Sequence, residues 1–252
     1  MPPLPHAFLE RPIAHRALHD RLRGRPENSR AAVAAAIEAG FSIEIDLQLS
    51  ADGVPMVFHD YDLRRLTGHT GTLRATPAAD LAGIPLSGGN EGIPTFAEIL
   101  ALVNGRVPLL VEIKDQDGAL GPDVGRLERA AARVAAGYGG HLAFMSFNPH
   151  SVAALAEAAP DRPRGLVTCD FAAGNWPGVP ATTRARLASI PDLEATGSCF
   201  VSHDARDLAS PRVAEISAAG LPVLCWTIRS PEAEAAARRI ADNVTFEGYL
   251  PV

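Results

Sequence analysis

The fold class that the sequence predicts is α/β, a (β/α)₈ TIM barrel with a small hairpin and loop insertion after its second strand. The first observation behind this prediction is the alternation of short apolar runs with Ala-rich amphipathic stretches, which is typical of strands joined by helical crossovers. The second is the length of 252 residues, which is common for one such barrel. The third is a hydrophobic fraction of 47%, enough for one large core. We therefore expect one barrel domain over residues 1–252, with residues 50–94 forming a hairpin arm and an irregular insertion.

Eight short apolar runs are the expected barrel strands. They are residues 12–15, 42–49, 108–113, 142–147, 165–168, 199–202, 222–227 and 243–247. The expected helices are the amphipathic stretches 28–39, 96–103, 126–136, 151–158, 211–219 and 231–241. Asn28 or Ser29 would cap the first of these helices, and Gly40 and Gly220 stand where helices would end. A doubly wound open sheet is the alternative, and it is less favoured because no glycine-rich dinucleotide fingerprint follows the first strand.

Residues 61–94 interrupt the alternation. They are rich in Gly, Thr, Arg and Pro, as in "LTGHTGTLRATP" and "LSGGNEGIP". Gly88 and Gly89 could suggest a phosphate cradle, but no helix begins directly behind them, and a flexible loop is the better interpretation. We expect an irregular excursion here rather than a second domain.

The stretch "FSIEIDLQLSADGVPMVFHD", residues 41–60, contains two apolar runs with a very short connection. Parallel strands need a crossover of about a dozen residues or more, so the two runs must be antiparallel. Asp52-Gly53 is a preferred pair for a two-residue type I′ turn. That turn would place His59 directly opposite Asp46.

Alternation along the first of these runs sorts its side chains onto two faces. Glu44, Asp46 and Gln48 share one face, whereas the aliphatic residues between them share the other. In a barrel the aliphatic face meets the helices, so the two acids would point into the mouth of the barrel.

Two other strands bring charged residues to the same end of the barrel. Glu112 and Lys114 flank an isoleucine at the end of the third barrel strand, and His15 and Arg16 follow the first. Active sites of such barrels lie at the C-terminal ends of the strands. We therefore expect these residues to converge with the acids of the second strand.

Glu44, Asp46 and Glu112 form the candidate metal site. Two carboxylates about 5 Å apart at an effective dielectric near 20 repel each other by roughly 3 kcal/mol, which proton uptake or a cation would relieve. Because all three ligands are oxygens, the sequence predicts one divalent hard cation, Mg²⁺ or Ca²⁺, with Mn²⁺ also possible, rather than zinc.

The motifs "IAHR", "PENS", "EIDLQLSADGVPMVFHD", "LLVEIK" and "LCWTI" together resemble the glycerophosphodiester phosphodiesterase family, from about residue 12 to about residue 228. The order and approximate spacing of the motifs are those of the family. Three features depart from it. Ala17 stands where the family usually has glycine, the loop "ALHDRLRGR" looks about three residues longer, and the closing Gly-x-Asp-Gly-x-x-Thr-Asp-x-Pro motif is replaced by "ADNVTFEGYLP".

This resemblance implies metal-dependent hydrolysis of a glycerophosphodiester to an alcohol and glycerol 3-phosphate. His15 and His59 would be the acid and base, in an order that the sequence leaves open. Arg16 and Lys114 would bind the substrate phosphate, and Trp226 would wall the alcohol side of the pocket. Glu27 and Asn28 are expected to organise the preceding loop and the helix cap.

Three alternatives stay open: a lysophospholipase-D-like enzyme, a cyclising phosphodiesterase, and a barrel that binds without turnover. The polar excursion at 61–94 weighs mildly against a lipid substrate. A retained set of catalytic positions weighs against a pure binding module.

Bulk properties indicate which partners to expect. A formal charge of −6 and a pI near 5.7 argue against nucleic acid and against a polybasic membrane anchor. The first residues lack the apolar stretch of a signal peptide, and no run reaches the ~18 apolar residues of a spanning helix. Cys169, Cys199 and Cys225 show no ligand spacing and are expected to be reduced, which favours a cytoplasmic location. The expected partner is a small-molecule phosphodiester, and the oligomeric state is left open.

Overall fold

The computed structural model describes residues 2–251, which form a closed eight-stranded parallel barrel with helices between the strands. The strands are β1 (Ile13–Ala14), β2 (Ser42–Leu49), β3 (Pro55–Val57), β4 (Leu109–Ile113), β5 (Leu142–Ser146), β6 (Arg164–Thr168), β7 (Val201–Asp204), β8 (Val223–Ile228) and β9 (Asn243–Phe246). Their order is β1-β9-β8-β7-β6-β5-β4-β2, and β1 pairs with β2 to close the ring. Among the strands of residues 2–251, β3 pairs with β2 and lies outside the ring. The predicted TIM barrel is confirmed.

Most of the helices cover the outside of the ring, one short helix precedes the first strand, and two lie in the insertion after β2. They are α1 (Ala7–Glu10), α2 (Arg30–Ala39), α3 (Arg64–Thr67), α4 (Ala78–Gly83), α5 (Phe96–Val103), α6 (Arg126–Ala135), α7 (Pro149–Ala158), α8 (Ala181–Ala188), α9 (Pro211–Ala218) and α10 (Pro231–Ala237). Ser29, not Asn28, is the N-cap of α2, since its hydroxyl accepts a hydrogen bond from the amide of Ala32 at 3.1 Å. α8 has no counterpart among the predicted helices.

The two faces of each strand have different neighbours, which places the site. Ile43, Ile45 and Leu47 of β2 are fully buried in the core between sheet and helices. On β4, Leu110 shares the inner face with Glu112. Leu110 belongs to a second apolar cluster that includes Phe8 of α1. The inner face is therefore apolar towards the N-terminal end of the barrel, and its charged residues lie at the C-terminal end.

The insertion after β2 has its own small core. Apolar residues from β3 and the following segment form one cluster, which contains Met56, Phe58, Leu63, Leu66, Leu73, Ala78, Leu81, Leu86 and Ile93. α3 and α4 lie in this segment. The expected irregular excursion is therefore a short packed unit, and its apolar cluster includes Met56 of β3.

The hairpin is antiparallel as predicted, but the predicted register is wrong by one residue. Leu47 pairs with Val57, and the amide of Phe58 donates to the carbonyl of Asp46 at 3.0 Å, so Phe58 and not His59 lies opposite Asp46. The connection is a three-residue loop, because the amide of Ser50 donates to the carbonyl of Val54 at 3.0 Å.

The Ser50 hydroxyl explains the longer loop. It donates to Asp52 Oδ1 at 2.6 Å and accepts from the amide of Val54 at 2.9 Å. Gly53 adopts the left-handed conformation with φ of 82°, as the bulge position of a three-residue hairpin loop requires.

None of the helices in residues 2–251 has the length and apolar character that a membrane crossing requires.

Candidate active site

Three carboxylates meet at the C-terminal end of the barrel. Glu44 and Asp46 extend from β2, and Glu112 extends from β4, where it pairs in register with Asp46. One oxygen from each lies within 4.8 Å of the others, and all three residues are buried. The sequence placed these acids on one face, and the strand pairing brings them together.

The surroundings of Glu44 and Asp46 shift the pKa values of these two buried acids in opposite directions. Burial, and then the charges of Asp46 and Glu112, raise the pKa of Glu44 well above its usual range. Burial also opposes ionisation of Asp46, but Lys114, His59 and Arg16 outweigh it and hold the pKa of that carboxyl well below its usual range. A raised pKa at one acid beside an ionised one is the signature of repulsion that a proton or a cation relieves. This oxygen-only set fits a hard divalent cation.

Lys114 reaches over the acidic cluster from the residue after β4. Its Nζ lies 2.8 Å from Glu112 Oε1 and 3.4 Å from Asp46 Oδ1. Burial disfavours the charged form, but the two carboxylates outweigh it and raise the pKa of Lys114 above its usual value. The ammonium is therefore a fixed positive charge in the site.

His15 lies just after β1 and is held by a residue that follows the last strand. Its Nδ1 is 2.5 Å from Glu247 Oε2, and Arg229 Nε donates to Glu247 Oε1 at 2.8 Å. Burial lowers the pKa of His15, and the bond to Glu247 partly opposes this effect. Glu247 was not among the predicted site residues. The signal for it was an acid directly after the last strand.

His59 approaches the acids from the end of the hairpin. Its Nδ1 lies 2.8 Å from Asp60 Oδ1. Gln48, on the inner face of β2, donates from Nε2 to the carbonyl of His59 at 2.9 Å. Although His59 is not opposite Asp46, a positive charge on its imidazole would lower the pKa of that carboxyl. The hairpin thus delivers the histidine despite the shifted register.

Arg16 occupies a tight turn beside Glu44. Its amide donates to Glu44 Oε2 at 2.8 Å, and its Nη1 lies 2.7 Å from Glu27 Oε1. Arg16 and Ala17 have φ of 52° and 64°, in the left-handed region. A glycine would adopt this conformation freely, so Ala17 carries strain at this position. Arg16 Nε lies 3.7 Å from Asp46 Oδ2.

Asn28 contacts Asp46, one of the three acids of the candidate metal site. Its Nδ2 donates to Asp46 Oδ2 at 2.8 Å, and its Oδ1 accepts from the Asp46 amide at 3.3 Å. The residue is fully buried with φ of 60°. Sequence reasoning gave Asn28 a place in the loop, and the structure adds this direct contact with Asp46.

These side chains share a cavity of about 180 Å³ at the barrel mouth. Seven of the eight predicted site residues line it: His15, Arg16, Glu44, His59, Glu112, Lys114 and Trp226. Asp46 is the eighth and is in contact with Lys114 and Asn28.

A second cavity of about 540 Å³ adjoins the first and shares five lining residues with it: His59, Glu112, Lys114, Phe147 and Trp226. Its apolar wall contains Phe147, Trp226, Trp176 and Leu120. The rings of Phe147 and Trp226 lie 5.5 Å apart, centroid to centroid. The Trp226 indole also donates to the carbonyl of Ser202 at 2.9 Å, which fixes one end of this wall.

With the acids, cations and histidines placed in one cavity, the likeness to known proteins becomes specific. A model of the Glycerophosphoryl diester phosphodiesterase family matches residues 15–245. The chain belongs to this phosphodiesterase family. The resemblance read from the motifs is confirmed. Members of the family generally depend on a divalent metal, and the buried acidic triad of this chain supplies suitable donors.

Two curated relatives match part of this chain. Glycerophosphodiester phosphodiesterase 1 of Bos taurus is 34% identical over 114 residues, which are 40% of this chain and 33% of that protein. The Homo sapiens protein of the same name is 32% identical over 114 residues, with the same shares. The match thus spans about a third of the length of these relatives.

Solved structures match nearly the whole chain. A phosphodiesterase from Oleispira antarctica, in complex with the product sn-glycerol-3-phosphate, is 26% identical with a TM-score of 0.78, covering 96% of this chain and 94% of that chain. A glycerophosphodiester phosphodiesterase from Thermotoga maritima is 21% identical with a TM-score of 0.70, covering 94% of each chain, and supports the fold alone.

Proposed function

We propose that this chain hydrolyses glycerophosphodiesters to an alcohol and glycerol 3-phosphate, in a metal-dependent reaction with two histidines as acid and base. The observation that carries the proposal is the convergence of His15 and His59 on one cavity with the acidic triad. The family and the product complex of the Oleispira antarctica relative agree with it.

Glu44, Asp46 and Glu112 would hold one divalent cation, Mg²⁺ or Ca²⁺ by preference, with Mn²⁺ also possible, since all their donors are hard oxygens. When bound, the cation would neutralise a non-bridging phosphate oxygen and make the phosphorus more electrophilic.

The two imidazoles would move the protons. One takes a proton from the attacking water, and the other gives one to the leaving alkoxide. Glu247 and Asp60 each lie at the Nδ1 of one histidine, at 2.5 Å and 2.8 Å. A carboxylate at Nδ1 orients the ring and stabilises the imidazolium, which leaves Nε2 for the substrate.

Arg16 and Lys114 would bind the substrate phosphate. Within residues 2–251, Arg16 Nε is a buried donor without a hydrogen-bond partner, so it is available to a phosphate oxygen. The Lys114 ammonium is charged and lines the same cavity. Both charges would also stabilise the negative charge that grows on phosphorus oxygens in the transition state.

The adjoining cavity would receive the leaving alcohol, with Trp226 and Phe147 as its apolar wall. The same wall favours a second candidate, lysophospholipase-D-like cleavage, if the chain-bearing glycerol rather than the leaving alcohol occupies this cavity. The polarity of residues 61–94 had weighed against it, but the wall is built mainly from residues after 119.

We also propose a cytoplasmic location and a single domain over residues 1–252. The location is supported by the three cysteines, which are free and buried. Burial raises the pKa of the Cys225 thiol to about 12, which keeps that thiol unreactive. We expect a small-molecule substrate, with neither nucleic acid nor a stable membrane anchor as partner.

The test is turnover of a substrate panel after exhaustive chelation and after return of Mg²⁺, Ca²⁺, Mn²⁺ or Zn²⁺. The panel contains glycerophosphodiesters of small alcohols and their lysophospholipid counterparts. The products measured are the free alcohol together with glycerol 3-phosphate from the former and lysophosphatidic acid from the latter. We expect no turnover without metal, recovery with a hard cation, and loss of recovery in Glu44→Gln.

Full activity after metal removal would refute metal dependence, and recovery by zinc alone would refute the proposed ligand set. Faster cleavage of the lysophospholipids would favour the second candidate. No cleavage of any glycerophosphodiester by the metal-loaded protein would refute the proposed reaction.

A further inference from the structure

We propose that Arg65 is a positioning residue that ties the catalytic histidine His59 to the phosphate-binding Arg16. The inference rests on the proposed function and adds to it a residue with no place in the reaction described above. Arg65 lies in α3, within the insertion, and does not line the catalytic cavity.

The guanidinium of Arg65 binds two carboxylates at once. Towards Asp60, Nε donates to Oδ2 at 2.6 Å and Nη2 to Oδ1 at 2.8 Å. Towards Glu27, Nη1 donates to Oε2 at 2.8 Å and Nη2 to Oε1 at 2.7 Å. Each carboxylate is therefore held by two parallel N–H···O bonds, the geometry in which arginine gives most directional control.

Each of these carboxylates also binds one active-site residue. Asp60 Oδ1 lies 2.8 Å from His59 Nδ1, and Glu27 Oε1 lies 2.7 Å from Arg16 Nη1. The contacts form a continuous chain from His59 through Asp60, Arg65 and Glu27 to Arg16. The two ends belong to different parts of the fold, the β2–β3 hairpin and the loop after β1.

The same geometry explains why a positively charged side chain is needed between Glu27 and Asp60. Without Arg65, no positive charge would lie between the neighbouring carboxylates of Glu27 and Asp60, and the two carboxylates would repel each other. Asp60 would then turn, and the ring of His59 would turn with it. Since misplacement of about 1 Å can cost roughly 10²-fold in rate, we expect a functional loss.

The exposure of Arg65 predicts that the loss will be in activity rather than in stability. Its side chain is 47% exposed, and ion pairs at such positions contribute little to folding. Glu27 and Asp60, at 12% and 21%, are more enclosed. A residue that acted only on stability would lower the melting temperature and leave the kinetics of the folded fraction unchanged.

The test compares kinetic parameters on a glycerophosphodiester for Arg65→Gln, Arg65→Lys and the matched control Arg64→Gln. Arg64 is the adjacent exposed arginine, and its hydrogen bond to Asp62 is donated by the backbone amide, which the substitution keeps. We expect kcat/KM to fall about 10- to 100-fold in both Arg65 variants, with the fold retained by circular dichroism. Arg64→Gln should change it less than twofold.

A double-mutant cycle then tests the coupling. Glu27→Gln should mainly raise KM, through Arg16, and Asp60→Asn should mainly lower kcat, through His59. With Arg65 present, the combined variant should lose less than the product of the single losses, because either change breaks the same chain of contacts. In the Arg65→Gln background, the two effects should multiply.

The proposal would be overturned if the losses caused by Glu27→Gln and Asp60→Asn multiplied with Arg65 present. Full activity in Arg65→Lys would also overturn it, since a positive charge alone would then suffice. If Arg65→Gln fails to fold, Arg65→Lys and the cycle in the parent protein still decide. A wild-type protein without activity on glycerophosphodiesters would instead count against the proposed function. In that case the affinity for inorganic phosphate, measured by calorimetry, tests the role of Arg65. Equal affinity in the parent protein and Arg65→Lys would overturn that role.

Discussion

At the scale of single residues, Asn28 is the side chain on which the position of Asp46 depends. Its amide contacts both the carboxylate and the backbone amide of Asp46, and no solvent reaches the pair. Partners of this kind commonly contribute 10- to 100-fold to metal affinity.

We therefore predict that Asn28→Gly lowers the affinity for the activating cation about 10- to 100-fold, measured as the cation concentration for half-maximal activity. Glycine suits the φ of 60°, so the substitution removes the amide without adding backbone strain. The control is Asn104→Gly, which replaces another left-handed asparagine, at the exposed end of α5. Unchanged cation affinity in Asn28→Gly would contradict the role given to this amide.

Glu247 partly offsets the effect of burial on the pKa of His15. Burial lowers the pKa of His15, whereas the bond to Glu247 and its charge raise it. Glu247→Gln removes the raising effects, so the pKa of His15 should fall further. The limb of the pH profile of kcat/KM that belongs to His15 should move to lower pH, whether His15 is the acid or the base. A shift of this limb to higher pH, or no shift, would show that the Glu247 carboxylate does not raise the pKa of His15. The matched control variant is Glu10→Gln, which removes a carboxylate beside the exposed His6.

At the scale of elements, the β2–β3 hairpin depends on its left-handed glycine. Gly53 has φ of 82°, and a Cβ placed there would meet no atom within 4 Å. The cost of Gly53→Ala is therefore conformational and should be about 1 kcal/mol in the free energy of unfolding. Gly83→Ala, at an equally open position without a positive φ, should be neutral or slightly stabilising. Equal denaturant midpoints for the two variants would be inconsistent with this explanation.

The hairpin also shows what local sequence can predict. The short connection predicted antiparallel pairing correctly, because no parallel crossover fits in so few residues. The register was wrong because Asp52-Gly53 suits both a two-residue turn and a three-residue loop with a left-handed glycine. The Ser50 hydroxyl, through its bonds to Asp52 and Val54, favours the longer loop, and the dipeptide alone does not reveal it. α8 was missed because "ATTRARLA" has two β-branched threonines and follows a Gly- and Pro-rich segment.

At the scale of the whole molecule, barrel closure creates the part of the site that the sequence did not predict. His15 and Glu247 lie 232 positions apart and meet because β1 pairs with β9, with Ala14 beside Phe246. The acids of β2 and β4 could be predicted from alternation within strands, since both strands point their polar residues inward. A contact across the closing seam has no such local signal.

Metal binding should be visible in the stability of the whole chain. A cation at about 100 times its dissociation constant stabilises a folded protein by about 2.7 kcal/mol, which for this size corresponds to a rise in Tm of roughly 5–10 °C. We predict this rise by calorimetry for the metal-free protein on addition of Mg²⁺ or Ca²⁺, and a much smaller one for Glu44→Gln. An unchanged Tm at saturating cation would indicate that the acidic triad does not hold the ion.

The proposal of two histidines at one phosphodiester is tested most directly by comparing leaving groups. His15→Ala and His59→Ala should each lower kcat by about 10²-fold or more on a glycerophosphodiester with an alkyl alcohol. On an aryl phosphodiester, the variant that lacks the acid should recover most of its rate, because a phenolate leaves without a proton, whereas the variant that lacks the base should not. This result would also assign the two roles. Near-normal kcat in both folded variants on the alkyl substrate would contradict the two-histidine mechanism.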